Sequence, residues 1–125
     1  MDEDTLLFFA GRPEALALYE ILKQQILSRI TNVKIKIAKT QITFANPKGF
    51  AFVSFLPVRR AKQRPPVYLT VTFGLGYRKE SARIDAATEP YPNRWTHHVM
   101  ISKPEDVDEE LLSWIAEAAA FSAAK

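Results

Sequence analysis

From Val33 to Ile37 apolar and polar residues alternate without a break. That pattern marks a strand covered on one face only. The same period of two returns over Gln41–Phe44, Val67–Phe73 and Arg94–Ile101. It predicts an inward set of Ile35, Ile37, Ile42, Phe44, Val67, Leu69, Val71 and Phe73. On the last strand it sends Trp95, His97, Val99 and Ile101 to one side and Thr96, His98 and Met100 to the other. Phe50–Leu56 is apolar on both faces apart from Ser54, which predicts a central strand, and Arg83–Ala86 suits a short edge strand.

Towards both ends the period changes to that of a helix. Ala15, Leu18, Tyr19, Leu22, Ile26 and Ile30 recur at three and four, a single apolar stripe. Pro13 and Glu14 suit its first turn, where no amide donor is required and negative charge is favoured. Leu6–Phe9 is expected to pack across that turn as a hydrophobic staple. Near the other end Leu111, Ile115, Ala118 and Ser122 fall on one line behind Asp106-Val107-Asp108-Glu109, which has capping-box spacing. The predicted elements are a helix over 13–30, strands over 33–38, 41–45, 50–56, 67–74, 83–86 and 94–102, and a helix over 107–122. Asn46-Pro47-Lys48-Gly49 reads as a turn. Glu89-Pro90-Tyr91-Pro92-Asn93 reads as a connector outside any ladder. Short connections imply antiparallel pairing. The expected fold class is an α+β two-layer sandwich, with an antiparallel sheet of five or six strands and the N- and C-terminal helices on one face.

At 125 residues the chain fits one domain, 1–125, with a core large enough to need no covalent staple. It holds no cysteine, which removes disulfides and thiolate metal sites. No apolar run nears the ~18 residues of a membrane span, and the acidic start Met1–Asp4 is unlike a secretory signal. A cytoplasmic protein with no membrane partner is expected.

The net charge of +3 conceals a segregated distribution. Residues 33–103 carry 13 Lys/Arg against 3 Asp/Glu, whereas residues 104–125 carry 1 against 6. Either acidic helices and basic loops balance one another within the fold, or the basic middle attracts an anion. Between Pro57 and Pro66 stand Arg59, Arg60, Lys62 and Arg64, with no acidic residue among them. That loop is expected to be exposed and partly extended.

Catalytic and metal chemistry find little footing. His97 and His98 are adjacent on a strand, so they face opposite ways and cannot share one ion; Asp85 and Glu89 are the other candidate ligands. Gly74-Leu75-Gly76 lacks the lysine and the third glycine of a phosphate loop. There is no nucleophile elbow, although His98 could act as general base towards Thr70, Thr72 or Tyr68 across neighbouring strands. No cofactor and no metal is expected. The outward residues say more. Lys36, Thr43, Tyr68, Thr70, Thr72 and His98 would share the face the helices leave open, with Arg59, Arg60, Lys62 and Arg64 extending it. Such a surface suits an anionic ligand, a nucleic acid or an acidic protein partner. Alternatively it is an ordinary solvated sheet face.

Three blocks carry a resemblance: Lys39-Thr40-Gln41-Ile42-Thr43-Phe44, Thr72-Phe73-Gly74-Leu75, and Arg94-Trp95-Thr96-His97-His98. An acidic cap and Leu111-Leu112-Ser113-Trp114 follow the last of them. Together they resemble the uncharacterised bacterial domain-of-unknown-function family 5655, from about Phe9 to Phe121. That resemblance implies no activity; it implies a small recognition or adaptor module. The order helix, strands, helix is also similar to the frataxin-like layout, which implies a metal- or metabolite-handling role with carboxylates along the first helix. Here that helix offers only Glu14 and Glu20.

Overall fold

The computed structural model describes residues 2–124. Its strands are β1 (Lys34–Ile37), β2 (Ile42–Ala45), β3 (Gly49–Ser54), β4 (Leu69–Leu75), β5 (Ala86–Tyr91) and β6 (Arg94–Ile101). They form one antiparallel sheet in the order β1-β2-β3-β4-β6-β5. The helices are α1 (Glu3–Phe8), α2 (Pro13–Arg29) and α3 (Glu109–Ala123). The fold is α+β, and α3 lies along β3 and β4 with α2 beside it.

Alternation explains the core. Ile42, Phe44, Val53, Val71, Phe73, Val99 and Ile101 are buried on the covered face. Against them pack Leu18, Leu22 and Ile26 of α2, and Leu111, Ile115 and Ala118 of α3. Burying such side chains contributes about 1.5–3 kcal/mol each before chain entropy is set against it. The expected inward and outward sets on β2, β4 and β6 hold, and β3 is one of the two central strands.

Several boundaries differ, each for a local reason. Leu6–Phe9 is not merely a staple. Its first residues lie in α1, which starts where the Asp2 carboxylate accepts the Thr5 N–H at 2.7 Å. Phe9 is buried in the core beside Tyr19 and Phe55, and Phe8 packs against its edge, while Leu6 and Leu7 are exposed. The last helix begins at Glu109 rather than 107, because Asp108 is its cap and accepts from Leu111 N. Asp106 is spent on the preceding turn, accepting from the N–H groups of Ser102 and Lys103. The fifth strand is Ala86–Tyr91, not 83–86, so the segment read as a connector joins the ladder. It does so at the sheet edge, with the register broken between Thr88 and Tyr91, which spares Pro90 a paired amide. Finally, β3 stops at Ser54, whose hydroxyl accepts the Leu56 N–H.

Two contacts from the 55–68 loop decide what the open face presents. Thr70 Oγ1 donates to Leu56 O at 2.7 Å, and Tyr68 Oη donates to Phe55 O at 3.1 Å. The loop thereby closes over one end of the face. Thr70 and Met100, both on the side away from the helices, are 0% and 5% exposed.

Candidate functional site

What remains open is organised by one row of side chains. The registers bring Lys36, Thr43, Phe52, Thr72, His98 and Ala86 into line across all six strands. Near its middle, Thr72 Oγ1 and His98 Nδ1 lie 2.8 Å apart. A hydroxyl serves this contact in either protonation state: it donates to the neutral ring and accepts from the imidazolium. When it donates, Nε2 carries the ring's proton and is left as a donor. Partial burial holds the His98 pKa below its ordinary 6.5, so the ring is neutral at pH 7.

Beside this pair opens a groove of about 450 Å³, lined by Phe8, Lys39, Thr40, Gln41, Ser54, Phe55, Leu56, Thr72 and His98. One wall is apolar. Phe8 stacks on Phe55 with ring centroids 5.4 Å apart, and the Arg12 guanidinium sits 3.8 Å from the Phe55 centroid. The opposite wall is the β1–β2 turn, which brings Lys39 and Gln41. No carboxylate lines the groove. One row further along, Arg94 lies flat over Gly74: a Cβ at that glycine would sit 2.4 Å from the guanidinium carbon. Only glycine lets a side chain rest on the sheet there. Rows on one face are spaced about 7 Å along a strand, so this charge neighbours the Thr72–His98 pair.

Of the ten residues expected to bind, Lys36, Thr43, Thr72 and His98 share the open row. Thr70 does not present itself, being buried with its hydroxyl donated to Leu56. Tyr68 lies outside the strands and lines a different cleft, with Gly11–Ala15 at the start of α2. The basic loop is also apart. Arg59 is held by Asp85, at 2.7 Å from Nε and 3.3 Å from the second nitrogen, and the same carboxylate accepts Met100 N–H at 2.8 Å. Arg60 and Lys62 are exposed, with Arg60 on the rim of a shallow depression beside Arg59. Arg64 is half-buried and its Nε meets no partner. Five residues that shape the site were not among those expected: Phe8, Phe55, Leu56, Arg94 and, in the β1–β2 turn, Lys39. Nothing periodic announces the first three. Gly74, a glycine inside the alternating run of β4, was the one signal for the fourth, whose side chain lies over it.

His97 behaves as the alternation demands. It is 0% exposed, its ring stacks on Phe73 at 5.1 Å, and its Nε2 accepts the Lys79 N–H at 2.9 Å. Burial holds its pKa below 6.5. Asp85 is engaged with Arg59, and a Glu89 oxygen accepts the Asn93 N–H. Among the described residues no three His, Asp or Glu side chains gather as a metal site. No helix among them is long and apolar enough to cross a membrane.

A family model described as a domain of unknown function, DUF5655, matches residues 7–122. The chain belongs to the DUF5655 family. No curated protein and no solved structure matches it. The DUF5655 match spans every element from α2 to β6 and nearly all of α3, so the groove and the open row lie within the family domain.

Proposed function

We infer that this domain is a small recognition module that binds an anionic ligand on its open sheet face, around Thr72 and His98. The observation that carries the reading is the charge layout there. Lys39 lines the groove beside the Thr72–His98 pair, Arg94 lies one row along the face over Gly74, and Lys36 stands at the β1 end of the same row as the pair. None has a carboxylate within ion-pair distance among the described residues. A cluster of cations and hydroxyl donors with no internal counter-charge favours an anion by charge-assisted hydrogen bonds. Catalysis finds less support. Thr72 and His98 have the spacing of a nucleophile and a base, but no acidic group among the described residues orients the ring from its other nitrogen. Arg60 and Lys62 are exposed and do not line the groove.

Amide NMR of the labelled protein, titrated with inorganic triphosphate at low salt, tests this. Shifts are expected at Lys36, Thr43, Thr72, Thr96 and His98, fading as salt is raised. Lys36→Glu combined with Arg94→Glu should weaken the interaction by about tenfold or more. Absence of binding at low salt, or shifts confined to the helical side, would sink the reading.

A further inference from the structure

We propose that the groove between the β1–β2 turn and the Phe8–Phe55 wall takes a small amphipathic organic anion, an aromatic or short aliphatic monocarboxylate. This rests on the anion-binding reading above and narrows it. The argument turns on the asymmetry of the cavity. One side is built of Phe8, Phe55 and Leu56, three apolar side chains that adjoin one another along the groove, with Leu56 47% exposed. The other side offers the Lys39 ammonium, the Gln41 amide, and the Thr72–His98 pair. A free inorganic anion would satisfy the polar side and leave the apolar wall wet. A neutral apolar molecule would bury the wall but offer no acceptor to Lys39 or to the second ring nitrogen of His98, which is costly where it displaces water from them. Only a ligand carrying both halves satisfies both.

Its size agrees. About 450 Å³ lies in the range of small-molecule sites and is too small for a folded partner. The charge count agrees too. Lys39 and His98 line the groove with no carboxylate among its described lining residues, which matches a single negative charge better than several. The Asp4 carboxylate lines the adjoining depression, which shares Lys39 and Phe8 with the groove. The Thr72 hydroxyl adds selectivity: while it donates to Nδ1, Nε2–H is the ring's available donor, and a carboxylate oxygen is its natural acceptor.

Four probes separate the possibilities, each titrated into the full-length labelled protein at pH 7 and followed by the ring signals of His98, Phe8 and Phe55. They are 3-phenylpropionate, its neutral isostere 3-phenylpropan-1-ol, acetate, and inorganic triphosphate. The carboxylate should saturate the groove and bind about tenfold or more tightly than either the alcohol or acetate. Thr72→Val, Lys39→Glu and Leu56→Ser should each weaken it severalfold. Because Leu56 and Lys39 are exposed, those two variants probe the site without threatening the fold. Equal binding of carboxylate and alcohol would overturn the proposal, since the groove would then be a plain apolar cleft. Failure of the carboxylate while triphosphate still shifts the open face would overturn it and leave the anion-binding function standing. Failure of both would remove both.

Discussion

Consider the stability of the domain as the pH falls from about 7.5 to about 5.5, a window chosen because carboxylates titrate mostly below it. His97 is the group at stake. Its ring is fully enclosed, stacked against Phe73, and its Nε2 accepts from Lys79 N–H, a bond that requires an unprotonated nitrogen. Its other nitrogen, Nδ1, meets no hydrogen-bond partner among the described residues, and the Phe73 and Trp95 backbone groups that favour the charged ring do not offset its burial. Desolvation therefore lowers its pKa in the folded state, and partial burial does the same to His98. In the unfolded chain both rings titrate near the ordinary value of 6.5.

The direction follows from proton counting. A depressed folded pKa means the unfolded chain takes up the proton first. The stability is complete above pH 6.5, falls as the pH drops through 6.5, and stops falling once the folded rings also protonate. The steepest loss one ring can cause is about 1.4 kcal/mol per pH unit, so two rings cap the slope near 2.7. Urea unfolding at half-unit intervals would measure it. His98→Gln should remove part of the slope at little cost in stability. His97→Met should remove the larger part. It should also lower stability at neutral pH by about 1–3 kcal/mol, because the Lys79 N–H is left unpaired. A flat profile in the unmutated protein, or a slope that survives His97→Met, would refute the reasoning.

Two further outcomes are expected. Gly74→Ala displaces the Arg94 guanidinium, the movable end of a long side chain, so stability should change by less than about 1 kcal/mol while triphosphate binding on the open face weakens; denaturant melts and the NMR titration read the two separately. Arg83 bonds the Asp108 and Glu110 carboxylates and the Asp106 carbonyl, tying the segment before β5 to the start of α3. Arg83→Ala should cost about 1–2 kcal/mol in urea unfolding, since the ion pairs are partly solvated but the carbonyl contact is half-buried.

The legible part of this fold is the part written in periodicity. β2, β4 and β6 alternate because one face packs apolar side chains on the helices while the other carries polar ones, part of it open and part closed over by the 55–68 loop. α2 repeats at three and four because one stripe is buried. That sufficed to place His98 and Thr72 on the open side and His97 in the core. The illegible part is where no such constraint acts. β5 is exposed along most of its length, so Ala86–Tyr91 carries no pattern to read. α1 spans six residues, too few for a period to repeat, and only the acidic residue at position 2 hints at a cap. The fold-back of the 55–68 loop rests on contacts such as Tyr68 to Phe55 and Thr70 to Leu56, between residues thirteen and fourteen positions apart. These are side chain to backbone bonds, which leave no trace in composition. That fold-back removed Thr70 from the surface, and the α1 wall added Phe8.

The segregated charge admits both of the explanations offered for it, but in different places. On the helical side it is internal balance. Arg83 meets Asp108 and Glu110, and Lys79 meets Glu117, so the basic middle of the chain pairs with its acidic end across the fold. Were that the whole story, the basic residues left over would be scattered. Some are, Lys23, Arg60, Lys62 and Lys103 among them, but Lys34, Lys36 and Lys39 lie together on one hairpin, and none of these three has an ion-pair partner among the described residues. Lys36, with Arg94 beyond Gly74, flanks the open row, and Lys39 stands at the groove mouth. Solvent alone can screen such a hairpin, and a surface ion pair would be worth little to stability in any case. The balance that α3 provides to Lys79 and Arg83, and that Asp85 provides to Arg59, therefore does not extend to Lys36, Lys39 and Arg94 among the described residues. An anion seated by Thr72 and His98 is the group whose charge and hydrogen bonding would supply it.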